Sequence, residues 1–98
     1  MAVYFKIHKH PKETVIAVCD DDIVGRTFRS DGMKLFVSEA FYGGELIGEE
    51  EFRSRLDTFT VVNLAGNRVV GIAIEEGVVN PENVLVIGGV KHAQAVIL

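Results

Sequence analysis

Apolar and polar residues alternate at the start of the chain, where Val3, Phe5 and Ile7 interleave with Tyr4, Lys6 and His8. A period of two predicts a strand with one face buried. His10-Pro11-Lys12 breaks the pattern as a turn. Val15 to Cys19 is apolar at every position, which predicts a central strand covered on both faces. Asp20-Asp21-Asp22 ends that run. Arg26 to Ser30 and Lys34 to Ser38 flank Asp31-Gly32, a pair that predicts a tight hairpin. Phe41-Tyr42-Gly43-Gly44 reads as a loop.

From Glu49 to Asp57 the period lengthens to that of a helix. Phe52, Leu56 and Phe59 recur at i, i+4 and i+7, and Glu49, Glu50 and Glu51 crowd the end where the helix dipole favours negative charge. Thr60-Val61-Val62 is β-prone and suits a short strand or an irregular join. Gly66 to Gly77 suits either element: Val70, Ala73 and Ile74 make a helical face, whereas Val69, Val70, Ile72 and Ile74 are also good strand residues. The ending Glu75-Glu76-Gly77 favours helix. After a turn at Asn80-Pro81-Glu82-Asn83, Val84 to Ile87 and His92 to Leu98 read as strands around a Gly88-Gly89 turn. The expected architecture is one α+β domain over residues 1–98, a mixed or mainly antiparallel sheet of about five to seven strands with about two helices.

Composition narrows the function classes. With 48% apolar residues in 98, the chain can build a core of its own. A single cysteine excludes an intrachain disulfide framework and fits a reducing cytoplasm. No apolar run approaches a membrane span, and Lys6, Lys9 and Lys12 interrupt the start of the chain before a signal sequence could form. The net charge of −4 argues against duplex DNA as a partner. The charge is uneven, however: residues 1–12 carry three lysines and no acid, while residues 13–57 carry eleven acids against five bases.

Chemistry concentrates at the end of the chain. In an extended segment His92 and Gln94 point the same way, pairing an imidazole with a carboxamide, and both groups form directional hydrogen bonds. Phe41 and Tyr42 beside a glycine pair offer an aromatic contact. Together these four residues form the candidate binding surface, expected on one accessible face. Asp20 with His92 is the alternative, a catalytic acid–base pair. Three adjacent carboxylates at Asp20 to Asp22 favour a turn with a capping role over a metal site, because consecutive residues cannot all reach one ion. Cys19, in an apolar strand, reads as an inert core thiol. No metal or cofactor is expected, and neither glycine pair fits a phosphate-binding motif.

Val18-Cys19-Asp20, Val24-Gly25-Arg26-Thr27-Phe28, Phe41-Tyr42-Gly43, Val62-Asn63-Leu64 with Gly66, and Gly89-Val90-Lys91-His92-Ala93-Gln94 occur in that order. The set resembles the archaeal domain-of-unknown-function family 424 over nearly the whole chain. Lys91 stands where the family pattern has proline, which is expected to place a positive charge beside His92 and lower its pKa. The resemblance implies an archaeal cytoplasmic protein with a link to translation or tRNA metabolism, and supplies no catalytic residues. The leading expectation is a non-catalytic adaptor with a protein partner, RNA entering only as part of a complex, and no membrane. A small enzyme using Asp20 and His92 is the second reading, and a homo-oligomer assembling through an edge strand is the third.

Overall fold

The computed structural model describes residues 1–97. A six-stranded sheet is built from β1 (Ala2–His10), β2 (Glu13–Asp20), β5 (Glu45–Gly48), β6 (Val61–Ala65), β7 (Leu85–Ile87) and β8 (Val90–Val96), in the order β5-β1-β2-β6-β8-β7. Only β2 and β6 run parallel. The remaining neighbours are antiparallel, so the sheet is mixed. A separate ribbon pairs β3 (Thr27–Ser30) with β4 (Met33–Phe36). Three helices complete the domain: α1 (Glu39–Tyr42), α2 (Glu49–Ser54) and α3 (Asn67–Glu75). No helix among the described residues is long and apolar enough to cross a membrane.

Two cores result from the alternation of side chains. On the first face, Val3, Phe5, Ile16, Val18, Val62, Leu64 and Ala93 meet Phe52 of α2 and Val69, Val70 and Ala73 of α3. On the second, Ala17, Cys19, Ala65 and Val90 meet Ile23, Leu35, Val37 and Tyr42. Val15 to Cys19 therefore packs on both sides, which is why its sequence lacks alternation.

Several local expectations hold. Asp31 and Gly32 both take positive φ, 50° and 78°, at the tip of the β3–β4 hairpin. Residues 66–77 resolve to helix, with Gly77 at φ 74° after its last turn. Other boundaries differ. The predicted helix over 49–57 stops at Ser54, and Leu56 and Phe59 reach the core from turns that follow it. Phe41 and Tyr42 are not in a loop: Ser38 accepts a hydrogen bond from the Phe41 amide (3.3 Å) and starts the single turn of α1. Val61 and Val62 begin an interior strand rather than a join, because they pair with β2 on one side and β8 on the other. The final strand ends at Val96, and Leu98 lies outside the described residues.

Candidate functional site

The β7–β8 hairpin turns at Gly88 and Gly89, whose φ values of 56° and 82° suit glycine. Two side chains clamp this turn. Gly88 donates its amide to Ser30 Oγ of the ribbon (2.8 Å). Asn67, the first residue of α3, accepts from the Lys91 amide (2.9 Å) and donates to the Gly89 carbonyl (3.3 Å). The glycine pair is thus a fixed turn that sets the direction of β8.

Beyond the turn, β8 places His92 and Gln94 on the second face, as their spacing requires. His92 lies opposite Ala65 and Leu85, and Gln94 opposite Asn63. Gln94 is exposed, whereas Asn63 and His92 are half-buried. Among the described residues, neither Asn63 nor Gln94 makes a side-chain hydrogen bond, so two adjacent carboxamides offer donors and acceptors outward. Burial lowers the pKa of His92 and favours its neutral form. Lys91 is not the cause, because it sits on the opposite face of the strand.

The aromatic half of the expected surface lies elsewhere. Tyr42 is only 4% exposed and belongs to the second-face core, where burial and then Cys19 push its pKa up to about 12. Phe41 stacks on His8, with ring centroids 4.8 Å apart and planes at 14°, over β1. His8 Nε2 donates to the Phe41 carbonyl (2.8 Å) and Lys6 Nζ donates to the Ala40 carbonyl (2.7 Å), so β1 caps the C-terminal end of α1. Three strand spacings separate β1 from β8, about 14 Å. The four candidate residues therefore share a side of the sheet but do not form one cluster.

An Asp20–His92 acid–base pair is ruled out by the same geometry. Asp20 faces the side of Val3 and Val18, and His92 faces the side of Ala65. Asp20 is instead a cap across the fold. Its carboxylate accepts from the amides of Arg68 (3.1 Å) and Val69 (3.0 Å) at the start of α3. Gly66 makes room for it: φ is 126°, and a methyl group there would overlap the carboxylate. Arg68 ion-pairs with Asp21 (2.6 Å) and approaches Asp22 (3.7 Å), so the acidic run closes onto one guanidinium. Burial, followed by the charges of Asp20, Asp21 and Asp22, pushes the Cys19 thiol up to about 12, which keeps it protonated and unreactive. The Gly43-Gly44 pair has a packing reason as well, since a side chain on Gly44 would strike the Phe5 carbonyl.

The sequence placed the ribbon hairpin but did not single out its outer side as a candidate surface. Phe28 and Leu35 point into the core, so Thr27, Arg29, Lys34 and Phe36 form the outer side, with Phe36 53% exposed. Arg26 lies over the Phe28 ring, 5.1 Å from its centroid. Arg26, Arg29 and Lys34 make no salt bridge among the described residues, in contrast to the three paired arginines Arg53, Arg55 and Arg68. Alternation within 27–36 could have shown this side, and Asn63 in an apolar strand was a further polar signal.

A family model described as "Protein of unknown function (DUF424)" matches residues 8–98. The chain is also similar to a solved structure described as "Crystal structure of an uncharacterized conserved protein from Methanopyrus kandleri". The two share 25% identity with a TM-score of 0.80, over 100% of this chain and 93% of that one. No curated protein matches the chain.

Proposed function

Since the chain belongs to the DUF424 family, whose description names no activity, we propose that it is a non-catalytic adaptor in translation or RNA metabolism. Its docking surface is the second side of the sheet, from the outer ribbon to the Asn63–Gln94 carboxamides. The link to translation rests on the family resemblance alone. One observation carries the docking surface: the ribbon and the residue before it hold Arg26, Arg29 and Lys34 against the single acid Asp31, and among the described residues none of the three cations makes an ion pair. Unpaired cations around an exposed aromatic suit an acidic protein surface, with Phe36 as the anchor. RNA enters only as a component of such a complex.

Affinity purification from an archaeal extract tests the reading. The wild-type chain is expected to retain a discrete protein partner, and Arg29→Glu with Lys34→Glu is expected to release it while leaving the fold intact. An unchanged set of retained proteins would sink the proposal.

A further inference from the structure

Among the described residues, the outer edge of β8 beyond His92 presents main-chain groups with no partner strand. β7 covers only Val90, Lys91 and His92. On the other side, the Lys91 carbonyl accepts from the Gly66 amide and the Ile97 amide donates to the Thr60 carbonyl. Alternate residues of an antiparallel strand direct their main-chain groups to opposite sides. Residues 91, 93, 95 and 97 therefore turn inward, while Gln94 and Val96 turn their N–H and C=O groups outward past the end of β7.

Nothing in the composition guards this edge. Sheet edges are normally protected by charged residues, proline, a bulge or a covering element. Residues 93–97 read Ala-Gln-Ala-Val-Ile, without charge or proline. Val96 and Ile97 are 55% and 50% exposed, and Leu85 and Val86 on β7 are equally open. The opposite edge is guarded: β5 carries Glu45, which is held by Arg55 (2.6 Å), and passes directly into α2.

We propose that this edge is a self-association surface on which a second copy of the chain adds its own β8, antiparallel, about a two-fold axis at Ala95. Centred there, Gln94 of each copy lies opposite Val96 of the other, and both outward residues bond in both copies. Four interchain main-chain hydrogen bonds result. The residue on the axis is small, so the closely spaced Ala95 pair fits without a clash. A register centred on Gln94 would instead place Val96 against His92, whose outward groups β7 already occupies. Self-pairing also brings together two uncharged segments, with no like charges opposed. The pairing uses main-chain groups at the sheet edge, whereas the proposed adaptor surface uses side chains on the sheet face, with Gln94 common to both. Four main-chain hydrogen bonds make association weak and concentration-dependent.

Sedimentation over a wide concentration range tests this pairing, together with a cysteine trap. The wild-type chain is expected to show a monomer–dimer equilibrium. Gln94→Pro removes an outward donor that no internal bond uses, which proline tolerates at an edge, and is expected to weaken dimerisation about tenfold. Val96→Lys places a charge at the same edge and is expected to do likewise. Ala95→Cys is expected to form an intermolecular disulfide under mild oxidation, because closely spaced antiparallel partners lie within disulfide reach. Lys91→Cys, inside the paired stretch, should form little. A monomer at every concentration with no Ala95→Cys dimer would overturn the proposal. So would a dimer insensitive to Gln94→Pro and Val96→Lys, or an edge that accepts strand-forming peptides but never a second copy.

Discussion

The two sides of the sheet treat charge in opposite ways. On the first, α2 and α3 carry Glu49, Glu50, Glu51 and Glu75, with Glu76 just beyond. Arg53 joins α2 to α3 through Glu49 (3.0 Å), Glu75 (3.3 Å) and Glu76 (2.9 Å). Arg55 likewise engages Glu45 and Glu51. On the second side Arg26, Arg29 and Lys34 make no ion pair among the described residues and stand beside an exposed phenylalanine, and the carboxamides of Asn63 and Gln94 make no side-chain hydrogen bond among those residues. Side chains already engaged within the fold must give up those contacts before meeting a partner. Unengaged cations can bind without that loss, which is why the second side is the one proposed for recognition.

The largest expected effect sharpens the first side of this comparison. Gly66→Ala combines a positive φ with overlap against the Asp20 carboxylate and is expected to cost about 3 kcal/mol or more in urea unfolding. Asp20→Ala leaves the Arg68 and Val69 amides without their acceptor and is expected to cost about 2 kcal/mol. Asp20→Asn should fall between Asp20→Ala and wild type. Equal stability for Asp20→Ala and wild type would show that the cap contributes nothing.

A smaller effect reports on His92. Its folded-state pKa lies below the ordinary 6.5 because burial disfavours the charged ring. The unfolded chain therefore binds more protons in the window below 6.5, so this group's contribution to stability falls as pH decreases through that window and is constant above it. His92→Gln removes that contribution. Unfolding free energies of the two proteins should converge as pH falls from 7 to 5, and parallel curves would mean that His92 is freely solvated.

The smallest effect compares two surface cations, one engaged and one free of ion pairs among the described residues. Arg53→Ala should lower the melting temperature slightly, with added salt reducing the difference, because its ion pairs are exposed to solvent. Lys34→Ala, which breaks no pair, should leave the melting temperature unchanged. A larger loss from Lys34→Ala would mean that the ribbon cations are structural after all.

Much of the fold was legible in local patterns. Period-two alternation marked β1, the doubly apolar run marked β2, and Asp31-Gly32 fixed the ribbon turn. The ambiguity over residues 66–77 was settled by contacts that local pattern does not carry, since Asp20 caps that helix from 48 residues before Arg68 in its first turn. The same long-range pairing explains the failed expectations at the site. His92 and Gln94 do share a face, which spacing alone dictates. Whether Phe41 and Tyr42 join them depends on strand order, and β2 and β6 intervene between β1 and β8. Asp20 and His92 were separated by which face each strand turns to the helices, and no motif encodes that choice.

Site-specific photo-crosslinking compares the two sides most directly. A photoreactive residue is placed at Phe36 or Gln94 on the second side, and at Glu50 or Glu75 on the first, and each protein is irradiated in an archaeal extract. Crosslinks to one common protein from Phe36 and Gln94, with none from Glu50 or Glu75, are the predicted result. Crosslinks to a partner from Glu50 or Glu75 alone would contradict the account.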